Sequence, residues 1–234
     1  MIIKHAYEDL GNANHGWLNA HYHFSFSEYY DPDKLSHGEL LVINDDIIAP
    51  QTGFATHGHN DMEIITYVRR GAISHQDSQG NKGRTSAGNV QVMSAGSGIR
   101  HSEHNLENEE TNLYQIWIAP NQQGVEPRWD LAEFPKEPVT DRLTLLVSGD
   151  KQAPLWIHQD ARIYAGNLNA GTELTHNIKG KAYVLISEGE MQVDGIECKR
   201  GDGFAISDET SVSLSAKTDC EVLVIEVPGL SEAR

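Results

Sequence analysis

Short apolar runs closed by glycine turns leave this chain little choice but β structure. LLVIND, EIITYV, NVQVMSA, LYQIWIA, KAYVLIS, MQVDG, GFAIS and EVLVIEV have strand length and are rich in β-branched and aromatic residues. Between them lie RRG, SQGN, KG, VDG and RGDG, which read as turns. The 21 glycines serve such turns, and helical periodicity is scarce. Short strands at this spacing predict an all-β sandwich or barrel.

The stretch GVEPRWDLAEFP, Gly124 to Pro135, is bounded by prolines and reads as a linker with at most one turn of its own. It places a break near residue 130, giving units 1–130 and 131–234. The 234 residues accommodate two domains of about a hundred residues each. The halves share an order of signals. Tyr67-Val68 leads to Gly71, a hairpin through Gly80, and Gly88 before VQVMSA. Tyr183-Val184 leads to Gly189, a turn at Asp194-Gly195, and Gly201 before GFAIS. Internal duplication is the expectation.

Charge narrows the function. With 34 acidic and 18 basic residues the formal charge is −16, which repels phosphate backbones and anionic lipid. Direct nucleic-acid binding is therefore not expected. No run approaches the roughly 18 apolar residues of a bilayer span. The opening MIIKHAYEDLGNANHGW lacks the apolar stretch of a signal peptide, so a cytoplasmic location is expected. Cys198 and Cys220 are the only cysteines and are read as buried, reduced thiols.

The chemistry gathers in FATHGHNDMEIITYV and AGSGIRHSEHN. Residues i and i+2 of a strand share a face, so His57 and His59 project together, as do His101 and Glu103. Gly96 and Gly98 permit a tight turn that returns His101 to the first pair. Two such strands side by side would offer three imidazoles and one carboxylate. That set suits a divalent first-row metal and leaves coordination positions open for water, dioxygen or substrate. Glu63, four residues after His59, is a second carboxylate candidate. His21-Tyr22-His23 repeats the spacing without further support and is read as a polar or packing pair.

THGHNDMEIITYVRRG followed by AGSGIRHSEHN resembles the two cupin motifs. With NHGWLNAHYHFSFSEYYDP near the start, the chain resembles the pirin family, and within it the bacterial pirin-like proteins described as quercetin 2,3-dioxygenases. The likeness covers nearly the whole chain. It implies a bicupin: two antiparallel jelly-roll β-barrel domains, with metal in the N-terminal one and none in the C-terminal one. Carried over by position, the metal ligands are His57, His59, His101 and Glu103. In most cupins the glutamate after H-x-H is itself a ligand, so Glu63 stays in contention. Glu103 is favoured, with Glu63 expected to orient an imidazole N–H. Relatives commonly show His-Thr before Phe-Ser-Phe, where this chain has Tyr22-His23. If that segment lines the pocket, substrate preference would differ.

The second half loses the set. Glu173, Thr175, Leu214 and Ala216 fall at the positions of His57, His59, His101 and Glu103. His176 is offset by one residue, which would turn it to the other face. His176 and His158 are read as polar residues at strand edges.

The resemblance implies a metal-dependent dioxygenase that opens a flavonol such as quercetin. Iron is the first expectation for the metal; nickel, manganese, cobalt, copper and zinc suit the same ligands. A small hydroxylated aromatic substrate and dioxygen would be the partners. Glu103 is the candidate base for the substrate hydroxyl. The alternative, also implied by the family, is a non-catalytic metal-binding regulator that docks a protein partner. A sugar isomerase would need basic residues for a phosphorylated substrate, and Arg100 alone stands beside the motifs.

Overall fold

The computed structural model describes residues 1–133 and 140–230. Almost all regular structure there is strand, with one turn of 3-10 helix at Tyr7–Asp9. The strands form two seven-stranded and two four-stranded sheets. The two large sheets pack face to face. Ile65, Tyr67, Tyr114 and Ile116 from one meet Tyr183, Leu185, Leu223 and Ile225 from the other in a single buried cluster. Alternate residues of the same strands point the opposite way. Ile64 and Val68 enter smaller cores beneath the first four-stranded sheet, and Val184 and Ile186 the core beneath the second. Both faces of these strands are buried, so their sequences are nearly continuous apolar runs.

Each half is therefore a large sheet facing a small one, in a jelly-roll arrangement whose sheets stay open rather than closing into barrels. Among the described residues the named strands pair antiparallel except Thr144–Ser148 with Leu155–Trp156, and one isolated parallel bridge joins Thr140 to Asn167. The division near residue 130 is not clean along the chain. Ile2–His5 opens the first half but hydrogen-bonds to Gly203–Ile206 in the second half's large sheet. The expected linker is also partly a strand: Arg128–Ala132 pairs with Val90–Ser94 at the edge of the first large sheet. Its last residues, Phe134 and Pro135, lie outside the described residues.

The two interiors differ in kind. The second is filled by Leu168, Met191, Val193, Phe204, Val212 and Leu214. The first carries buried Asp46, Thr66, His75, Asp77, Gln91, His101 and Glu103. Buried polar groups are costly unless partnered, so this interior is built around a task other than packing. Cys198 and Cys220 are free and buried. No helix among the described residues is long and apolar enough to cross a membrane.

Candidate metal centre

The first four-stranded sheet runs in the order Thr52–His59, Ile99–Asn105, Ala72–Asp77, Lys82–Ser86. In its outer pair His101 stands opposite His57, and Ile99 opposite His59. The register then slips, so that Glu103 faces Phe54. This bulge puts an extra residue between Phe54 and His57 and lets both side chains turn inward despite their odd spacing. The turn before Ile99 needs its glycines. Gly96 has φ +45°, and a Cβ there would meet the Val125 carbonyl oxygen at 2.0 Å.

The imidazoles of His57, His59 and His101 converge, each with a ring nitrogen within 4.8 Å of the others'. Ring centroids are 4.5 Å apart for His57–His101, 4.8 Å for His57–His59 and 5.0 Å for His59–His101. The bulge also orients His57. Its Nδ1 lies 2.8 Å from the Ala55 carbonyl, to which only an Nδ1–H can donate. Nε2 is left as a lone pair, 3.1 Å from His101 Nε2. Burial lowers His59 to about 4 and His101 to about 3, so both rings are neutral at pH 7. Neutral imidazoles with converging lone pairs are what a divalent transition metal requires.

Glu103 is fully enclosed on the same strand as His101 and lies with His101 and His75 in an overlapping cluster within 4.8 Å. Its Oε1 accepts from Gln91 Nε2 at 2.7 Å and from Thr66 Oγ1 at 3.4 Å; its Oε2 accepts from Gln115 Nε2 at 2.9 Å. Both amides are fixed by their other ends. Thr85 Oγ1 donates to Gln91 Oε1 at 2.8 Å, and the Trp117 indole N–H donates to Gln115 Oε1 at 3.2 Å. An indole can only donate, so the Gln115 amide nitrogen must face Glu103. Burial nevertheless raises the Glu103 carboxyl to about 7 against these bonds. Asp46, on the neighbouring large sheet, is raised to about 8 by burial and by the charges of Asp45 and Glu103.

Glu63 is not part of this group. Thr66, which reaches Glu103, and Glu63 are three residues apart on one strand and face opposite sides. Glu63 Oε2 accepts from Ser94 Oγ at 2.7 Å. Its surroundings include the His158 backbone and the Arg128 charge, and burial raises it to about 7. Its side-chain hydrogen bond goes to Ser94 rather than to an imidazole, and the carboxylate lies at the junction of the halves.

Aromatic rings wall the centre. Trp117 meets His59 edge-on at 4.9 Å and Phe26 at 5.5 Å. Phe26 packs on Tyr22 at 5.4 Å, and Phe54 on Trp17 at 5.1 Å. Of the Tyr22-His23 pair, Tyr22 thus faces the wall. His23 turns to the central interface and bonds Tyr183 Oη at 2.9 Å. His21 stacks on Tyr7.

No comparable cluster stands in the second half among the described residues. Leu174 pairs with Leu214 there. His176 departs from expectation: it shares the inward face of Leu174, its Nε2 lies 2.6 Å from Glu226 Oε1, and its ring meets Tyr164 edge-on at 4.8 Å. His158 lies beside Trp156 just past a short strand. Sequence reasoning passed over His75, Gln91, Gln115 and Trp117. The glutamines carried a signal, each a polar residue at an inward position of an apolar run.

Comparison with known proteins gives consistent matches. Residues 4–118 match the family described as Pirin, and residues 145–227 the one described as Quercetinase C-terminal cupin domain. A pirin-like protein of Caulobacter vibrioides is 48% identical over 231 residues, spanning 97% of this chain and 99% of that one. A quercetin 2,3-dioxygenase of Escherichia coli K12 is 41% identical over 231 residues, with 97% and 99% covered. The crystal structure of the bacterial pirin YhhW from Escherichia coli in complex with nickel(II) superposes with a TM-score of 0.92 at 40% identity, covering 98% of this chain and 100% of that one.

Proposed function

This chain belongs to the pirin family, and from that premise we propose that it is a dioxygenase that opens a flavonol such as quercetin at a single divalent transition metal held by His57, His59, His101 and Glu103. The observation that carries this reading is the convergence of the three imidazoles beside a carboxylate that fixed amides keep as an acceptor. Iron is the first choice of metal, with nickel, manganese, cobalt, copper and zinc compatible with the donor set. When bound, the metal would act as a Lewis acid toward the substrate oxygen.

The chain's own residues supply the rest. Phe26, Phe54 and Trp117 offer apolar faces to a flat aromatic ring system and limit water at the centre. Glu103, on loosening from the metal, would take the hydroxyl proton of the substrate. The bulge carbonyl of Ala55 keeps the His57 lone pair aimed inward. The second half, with its apolar interior, supports the first through the central interface.

The test is oxygen uptake with quercetin by protein loaded in turn with Fe, Ni, Mn, Co, Cu and Zn. Metal-dependent uptake in step with loss of quercetin is expected. Full metal loading with no uptake for any metal would overturn the enzyme reading and leave a metal-binding regulator.

A further inference from the structure

We propose that His75 is a positioning residue for the metal centre, accepting the Nδ1–H of His101 and donating its own Nε2–H to Asp77. The inference rests on the metal-centre reading above.

Asp77 sets the direction of both bonds. Its Oδ1 accepts from the backbone N–H groups of Gln79 and Asn81 at 2.9 and 3.1 Å, and the Asn81 amide reaches both oxygens. A carboxylate so filled with donors is an acceptor only. His75 Nε2, 2.9 Å from Asp77 Oδ2, is therefore the protonated nitrogen of that ring. Its Nδ1 is then a lone pair, and it is buried without a partner.

His101 presents the complement. Its Nε2 faces the His57 lone pair at 3.1 Å, so metal binding requires an Nε2 lone pair and a proton on Nδ1. That Nδ1 is also buried without a partner. The two rings have centroids 5.4 Å apart with planes at 47°, and Asp77 and His75 sit directly opposite His101 and Glu103 in the strand ladder. The two unpartnered nitrogens therefore sit on adjacent rings, one a lone pair and the other a donor. The result is a carboxylate–imidazole–imidazole chain that selects one tautomer of a ligand and fixes its plane.

The rest of the structure holds His75 still. Trp129 stacks on it at 4.9 Å with planes 8° apart. Trp129 in turn lies where a Cβ on Gly83 would be, 2.2 Å from Cη2. The strand Arg128–Ala132, read from sequence as linker, supplies that indole.

Metal affinity is the readout, measured with Ni2+ by chelator competition on folded protein. His75→Leu removes both bonds and His75→Gln keeps only a donor near Nε2; each should weaken binding by about 10–100-fold. His75→Asn restores an acceptor near Nδ1 and should recover most of that loss. A folded Leu variant that binds like wild type overturns the proposal. So does an Asn variant as weak as Leu, the result expected if His75 were itself a ligand. Nitrogen-15 NMR of the Zn2+-loaded wild type needs no variant: a proton on His75 Nε2 and on His101 Nδ1 is expected, and a proton on His75 Nδ1 overturns the proposal. Wild type that binds neither metal would refute the metal-centre reading instead.

Discussion

Glu63→Gln separates the two carboxylates that the sequence leaves in competition. Glu63 is 0% exposed, and burial raises it from an ordinary value of 4.5 to about 7. Between those values the folded chain holds a proton that the unfolded chain has released. Stability from this group is thus complete below pH 4.5, falls as pH rises, and levels off above 7. The shift of about 2.5 units corresponds to a loss on the order of 3 kcal/mol across that window. The glutamine amide carries no titrating proton. The variant should therefore gain on wild type by up to about 3 kcal/mol between pH 4.5 and 8, while its Ni2+ affinity stays within about twofold. Urea denaturation of the metal-free proteins at pH 5 and pH 8 gives the stability difference, and chelator competition gives the affinity. A difference that does not change with pH would refute the placement of Glu63. A loss of affinity by about 10–100-fold would return it to the imidazoles.

Other outcomes follow from the same geometry. Trp117→Leu removes the ring that faces His59 and Phe26 and the N–H that fixes Gln115; the KM for quercetin should rise at least about tenfold, as a lost aromatic contact and a misaligned amide predict, and an unchanged KM would contradict the aromatic wall. His5 and His23 are lowered by burial to about 4 and about 3. Both are neutral in the fold, so their contribution is complete above pH 6.5 and is lost as pH falls, by up to about 1.4 kcal/mol per pH unit for each group. His23→Asn should flatten the acid limb of the stability profile of the metal-free protein by about one proton, and an unaltered slope would count against a neutral buried His23.

Much of this architecture could be read from the strands that bury both faces, because their runs are continuously apolar. Glu63–Arg70 and Lys181–Glu188 stood out for that reason. The paired histidines were legible because a strand repeats every two residues. What stayed hidden depends on contacts distant in sequence. Ile2–His5 carries no mark of its partner about two hundred residues away. The bulge between Phe54 and His57 changes which face each residue takes, and alternation alone cannot announce it. His176 was misplaced by residue counting: Leu174, not Glu173, stands opposite Leu214 as His57 stands opposite His101, so His176 takes the inward face and reaches Glu226. His75 lies in SHQDSQGN, which reads as a hairpin; only the ladder that sets it opposite Glu103 gives it a role.

The proposed function requires one metal per chain, held in the first half. Metal analysis of purified wild type beside His101→Ala, both loaded with Ni2+ and freed of excess, tests it most directly. His101 is shared by both overlapping ligand clusters, so its loss should empty the centre while the sheets remain intact. About one Ni2+ per wild-type chain is expected, and almost none in a folded His101→Ala, because one of four ligands is removed. Equal nickel in the two proteins would contradict it.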